Sequence, residues 1–178
     1  MKKILVVVDM QNDFITGPLG NAECQATVQK VVDVIENNKY DNIFLTRDTH
    51  HDNYMETQEG KKLPVPHCIE NTRGWEIVDA VNEAVASCSH AEVKIIDKPT
   101  FGSVELGAIL HEIYEKEDLI IDFCGVCTGI CVISNVMIAK ASCPEAEIRV
   151  FEDACACVTP ESHRTAIEAM KLCQVSII

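Results

Sequence analysis

Three cysteines fall within eight residues, in Cys124-Gly125-Val126-Cys127-Thr128-Gly129-Ile130-Cys131. Thiols at this spacing can ligate a metal, form a redox pair or supply one nucleophile. A redox C-x-x-C usually begins at a helix N-terminus, whereas Cys124 closes the apolar run Leu119-Ile120-Ile121-Asp122-Phe123. No second C-x-x-C completes a four-cysteine zinc site, and Cys155-x-Cys157 has the wrong spacing. Cys124 is therefore expected to pack and Cys127 to lie in a loop. Cys131 falls in the first turn of a helical pattern running through Val132, Val136 and Met137. There the helix dipole and unpaired backbone N–H groups are expected to lower its pKa and make it the nucleophile.

Other chemistry-bearing side chains stand where apolar runs stop. Asp9 ends Ile4-Leu5-Val6-Val7-Val8, a place suited to proton transfer, although a carboxylate there can also bond a loop. Lys98 precedes Pro99, which holds it extended, and beside a carboxylate and a thiol it would favour both anions. Asp48-Thr49-His50 puts two ligand-type side chains on one side of an extended segment. His67 can return as a third, from a loop that Pro64 and Pro66 keep from becoming helical. One aspartate and two histidines leave coordination positions open, which suits zinc, iron or manganese; the competing reading makes His50 and His51 plain loop residues.

Positioning these groups requires a regular scaffold. Strand patterns at 3–8, 42–46, 92–97, 119–124, 147–151 and 174–178 alternate with helical patterns at 22–38, 74–88, 103–116, 129–142 and 160–172. Alternation of this kind predicts a parallel α/β sheet covered on both faces, a three-layer αβα doubly wound fold, with ligands at the carboxyl ends of the strands. The length of 178 residues and a hydrophobic fraction of 47% suit a single domain spanning 1–178. No glycine-rich phosphate loop follows the first strand, so no nucleotide cofactor is expected. A net charge of −13 disfavours nucleic acid as a partner. The first apolar run ends after five residues, too short for a secretory core or a membrane span, so a cytoplasmic protein with mostly free, buried cysteines is expected.

The ordered set of segments VVVDMQNDF (6–14), TRDTH (46–50), PHCI (66–69), TRGW (72–75), DKPTFGS (97–103) and GVCTGICVISN (125–135) resembles the isochorismatase-like cysteine hydrolases, above all the nicotinamidase/pyrazinamidase group. The resemblance implies a six-stranded sheet in the order 3-2-1-4-5-6, a triad of Asp9, Lys98 and Cys131, and metal ligands Asp48, His50 and His67. It also implies a cis peptide between Val126 and Cys127 that aims the Cys127 N–H, with that of Cys131, at an oxyanion. Phe14 would pack on the substrate ring. The group often carries a further ligand before the third, for which Glu56 and Glu59 are candidates and Glu59 is favoured. Gly129, where an acid is common, and Asn71, where a glycine is common, depart from the pattern.

Taken together, the resemblance implies hydrolysis of a small carboxamide through a thioester on Cys131, with nicotinamide giving nicotinate and ammonia as the leading case. It also implies a homo-oligomer. Another small amide or a carbamoyl compound on the same fold is the first alternative. A thiol redox protein or a non-catalytic binding module is the alternative of a different class.

Overall fold

The computed structural model describes residues 1–178. Its strands are β1 (Lys2–Val8), β2 (Asn42–Asp48), β3 (Glu92–Lys98), β4 (Leu119–Val126), β5 (Glu147–Ala156) and β6 (Ser176–Ile177). They form one all-parallel sheet in the order β3-β2-β1-β4-β5-β6. The helices are α1 (Asn12–Ile15), α2 (Ala22–Asn37), α3 (Gln58–Lys62), α4 (Asp79–Ser87), α5 (Val104–Tyr114), α6 (Ile133–Ser142) and α7 (Pro160–Leu172).

The unbroken apolar run of β1 follows from burial on both faces. Leu5 and Val7 pack with Val31 and Ile35 of α2 and Val81 of α4. Ile4, Val6 and Val8 pack with Leu106 of α5, Val136 of α6 and Ile167 of α7 on the other face. Polar side chains mark where helices start: Asn21 accepts from the Cys24 N–H at 2.8 Å, Ser103 accepts from the Leu106 N–H at 3.0 Å, and Thr159 with Ser162 forms a capping box ahead of Pro160. No helix is long and apolar enough to cross a membrane.

The strand order reverses at β1, which sits between β2 and β4, so the crevice for a ligand opens above the ends of these strands. There Gly125 takes φ +117°, and a Cβ on it would lie 2.2 Å from the Val8 carbonyl oxygen. Gly125→Ala is accordingly expected to destabilise the fold by about 3 kcal/mol or more, read as a lower urea midpoint.

Several boundaries differ from those expected. The helix expected over 74–88 starts at Asp79, because the preceding segment is drawn against residues 11–13: Ile77 bridges Gln11, and Gly74 accepts from the Asp13 N–H. The helix expected over 129–142 divides into a π-helical turn (Thr128–Val132) followed by α6. β5 continues past 151 to Ala156 through a bulge, since its register slips from Phe123↔Val150 to Gly125↔Cys155. A 3₁₀ turn (Tyr54–Glu56) and α3 precede Pro64, and residues 63–67 are non-helical, as their two prolines predict.

Candidate active site

Asp9, Asp48 and Lys98 reach one point because three neighbouring strands end there. Asp48 and Lys98 are register partners across β2 and β3, while Asp9 follows β1 directly. Asp9 adopts a left-handed φ of 48°, turning the chain out of the sheet. Thr46 fixes its carboxylate, donating from Oγ1 to Oδ1 at 2.6 Å. Lys98 Nζ lies 2.6 Å from Asp9 Oδ2, donates to the Thr100 carbonyl at 3.0 Å and stands 3.6 Å from Asp48 Oδ1. Asp9 and Lys98 are 0% and 1% exposed, so the pair is a buried one.

The Cys131 thiol lies close enough to Asp9 and Lys98 for the charges of both to act on it. Its electrostatics differ from the expectation of a helix-activated thiolate. Burial pushes the Cys131 thiol up and the Asp9 charge adds to this, with Lys98 only partly opposing them. Cys131 sits in the π-helical turn, not the first turn of an α-helix. Burial raises the Asp9 pKa against the pull of Lys98, and Asp48 raises it further. A single cation faces two acids, and the raised pKa makes the Asp9 carboxylate a stronger base than a solvated one.

The turn that carries Cys131 is itself anchored. Asn135, fully buried, donates from Nδ2 to the Cys131 carbonyl at 2.8 Å and the Phe101 carbonyl at 3.2 Å, and accepts from the Ser103 N–H at 2.9 Å. This ties the π-helical turn to the segment between β3 and α5. The Val126–Cys127 peptide is cis, and Thr128 Oγ1 lies 2.8 Å from His163 Nδ1. Gly129 donates its N–H to Cys157 Sγ at 3.4 Å, and a Cβ on it would touch that sulfur and Ala166, so α7 closes over the position where an acid was expected. Cys124 is fully buried in β4, as expected of a packing residue.

Next to this centre, Asp48, His50, Glu59 and His67 bring one ligand atom each within 4.8 Å of the others. Asp48 Oδ2 lies 3.1 Å from His50 Nε2 and 3.4 Å from His67 Nε2, and Glu59 Oε1 lies 3.6 and 3.7 Å from the same two nitrogens. Ligands about 2.1 Å from a tetrahedral ion are about 3.4 Å apart, and these spacings bracket that value. His67 Nδ1 donates to the Val65 carbonyl at 2.8 Å, which turns Nε2 toward the cluster. Asp48 Oδ1 is buried without a hydrogen-bond partner. Although burial acts against it, the hydrogen bonds of His50 and His67 and the charge of Lys98 hold the Asp48 carboxyl well below the usual range. The donor set and its spacing fit a divalent metal. Of the two further candidates, Glu59 belongs to the cluster and Glu56 is exposed outside it.

Positioning residues outside the expected set hold this geometry. Gln11, fully buried, donates to the carbonyls of Asp48 and Trp75, both at 2.8 Å, and accepts from the Asp48 N–H at 2.7 Å. Asp13 Oδ2 accepts the Cys68 N–H at 2.8 Å, and His50 N–H donates to the Cys68 carbonyl, so the two metal-site histidines come from segments stitched side by side. Tyr54 rests edge-on against both imidazoles, with centroids 4.8 and 5.1 Å away. The polar run Gln11-Asn12-Asp13, two residues after Asp9, was the signal for this role in the sequence.

A cavity of about 300 Å³ joins the two centres. Cys127 and Cys131 line one part, Asp48, Glu59 and His67 another, and Phe14, Leu19, Leu63, Phe101, Ile130 and Val158 supply apolar walls. The Phe14 ring lies 5.5 Å from that of His67. Such a space suits a small, flat, largely apolar molecule with one reactive polar group and a second polar atom on the metal side.

The isochorismatase domain model matches residues 3–178. A nicotinamidase of Saccharomyces cerevisiae is 30% identical over 149 residues, 66% of this chain and 67% of the yeast protein. Among solved structures, a nicotinamidase/pyrazinamidase of Bacillus subtilis superposes with a TM-score of 0.84 at 24% identity, covering 99% of each chain. A pyrazinamidase of Pyrococcus horikoshii in complex with zinc superposes with a TM-score of 0.77 at 27% identity, covering 100% of this chain and 99% of that one.

Proposed function

The chain belongs to the isochorismatase family, and from that premise we propose that it is a cysteine amidohydrolase that converts nicotinamide to nicotinate and ammonia. The observation that carries this reading is the meeting of Cys131, Asp9 and Lys98 at one end of a cavity whose other end is a metal-type cluster. In the first half-reaction Asp9 takes the thiol proton, Lys98 keeps the developing charge balanced, and Cys131 Sγ attacks the carboxamide carbon. The N–H groups of Cys127 and Cys131 are assigned to the oxyanion. Collapse breaks the C–N bond, and Asp9 passes its proton to the leaving ammonia. Asp9 then serves as base for the water that opens the thioester and frees the thiol.

Asp48, His50 and His67, with Glu59 as a fourth donor, would hold a zinc, iron or manganese ion. When bound, the ion would supply a Lewis acid able to anchor a ring heteroatom. Phe14 is assigned to the substrate ring. An amide without such a heteroatom would use the triad equally well, and for that reason a panel of small amides scored for ammonia release is the decisive test. Nicotinamide is expected to head the panel; no release from it, with release from an aliphatic or carbamoyl substrate, contradicts the reading.

For the metal cluster, protein purified without added metal is expected to carry about one equivalent of a divalent transition metal by elemental analysis. His67→Ala should lose it and raise KM for nicotinamide by roughly 10- to 100-fold. Metal-free protein with full activity in excess chelator would overturn this assignment.

A further inference from the structure

Three thiols that the hydrolytic chemistry does not use belong to separate elements: Cys24 on α2, Cys127 just beyond β4, and Cys157 just beyond β5. The ladder between β4 and β5 pairs Gly125 with Cys155 and Val126 with Ala156, so the next step places Cys127 opposite Cys157. Adjacent strands run about 4.8 Å apart, inside the Cα separation of about 4.4–6.8 Å that a disulfide needs. Cys157 Sγ also accepts the N–H of Gly129, two residues from Cys127, at 3.4 Å.

The surroundings make the two members unequal. The neighbouring Cys127 thiol, with Ser162 and the N–H groups of Gly129 and Val158, holds the Cys157 thiol down to about 5 despite burial. Cys127 is pushed far up, chiefly by Cys157 and Cys24, and its proximity also lowers Cys24. A thiolate beside a protonated thiol is the arrangement of an attacking and a resolving cysteine. Cys157 borders two surface hollows, one of them lined also by Lys30, His163 and Arg164, and Cys127 borders the substrate cavity. By contrast, burial pushes up the thiols of Cys68, Cys124, Cys143 and Cys155.

We infer that Cys157 and Cys127 form a reversible oxidation site, at which hydrogen peroxide closes a disulfide that switches amide hydrolysis off. The Cys157 thiolate attacks one peroxide oxygen; the O–O bond breaks, leaving a sulfenic acid and a hydroxide that takes up a proton as water. Cys127 sulfur then attacks Cys157 sulfur; the S–O bond breaks, the S–S bond forms, and the Cys127 proton leaves with the departing hydroxide as a second water. The pair loses two electrons, and the peroxide gains them. Drawing Cys127 toward Cys157 turns the residue whose N–H is assigned to the oxyanion. The disulfide itself depends on nothing but the thiol pair, whereas the loss of hydrolysis rests on the function proposed above.

The test treats the full chain with a small excess of hydrogen peroxide and maps its disulfides by peptide mass. A peptide joining Cys127 to Cys157 is expected, and dithiothreitol should release it. Cys131→Ala should give the same linkage, which keeps this readout independent of whether nicotinamide is the substrate. In activity assays kcat should fall roughly 10²-fold on oxidation and return with dithiothreitol. Cys157→Ser should retain its starting activity and resist the same dose. A linkage of Cys127 to Cys24, oxidation confined to Cys131, or equal inactivation of Cys157→Ser overturns the assignment.

Discussion

Cys131→Ala is expected to reduce ammonia release from nicotinamide by at least about 10⁴-fold while leaving the folded state nearly as stable as before. The large kinetic effect follows from removing the atom that would carry the acyl group. The small stability effect follows from position. Cys131 borders the cavity as well as the core, so truncating it removes one sulfur from a wall that already faces open space, costing about 1 kcal/mol. A thermal or urea melt run beside the ammonia assay separates the two. Substantial residual turnover would remove Cys131 from the proposed role.

Asp9→Asn is expected to act on rate and stability together. Losing the base should lower kcat by at least about 10³-fold. The same change strips Lys98, which is 1% exposed, of its 2.6 Å partner and leaves only the Thr100 carbonyl and the more distant Asp48. A buried charge that loses its partner costs about 3–5 kcal/mol. Asp9→Asn combined with Lys98→Met should recover most of that stability and none of the activity, because the uncompensated charge is gone but so is the base. In the unmodified enzyme, burial and Asp48 raise the Asp9 pKa, so the acid limb of kcat/KM is expected above the usual aspartate value of about 3.9. Activity is lost as the pH falls through that raised value, since the protonated carboxyl cannot accept the thiol proton. An acid limb at or below the ordinary value, or a stable and active Asp9→Asn, would contradict the assignment.

The parts of this site that could be read from the sequence were those fixed by strand ends. Asp9, Asp48 and Lys98 each close an apolar run, and parallel pairing brings such ends together wherever the strands are neighbours. Other parts depend on distant packing. Glu56 and Glu59 are equivalent in spacing, and α3 alone decides that Glu59 turns toward the histidines. The helix-dipole expectation for Cys131 considered only local structure. Full burial against Asp9 outweighs it, and burial is set by α5, α6 and β1 together. Gln11 and Asn135 have no spacing signature, because a side-chain amide that clamps backbone groups of two other segments can be recognised only once those segments meet. Leu19, Leu63, Phe101 and Val158 are likewise ordinary apolar residues until four separate loops converge on the cavity.

The central claim is that nicotinamide is hydrolysed through an acyl group carried on Cys131. Rapid acid quenching during turnover, followed by peptide mass analysis, tests it most directly. The account predicts a nicotinoyl adduct on the peptide containing Cys131 that forms with ammonia release and disappears as nicotinate appears. Steady release of ammonia and nicotinate with Cys131 unmodified at every quench time, or an adduct carried by another residue, would contradict it.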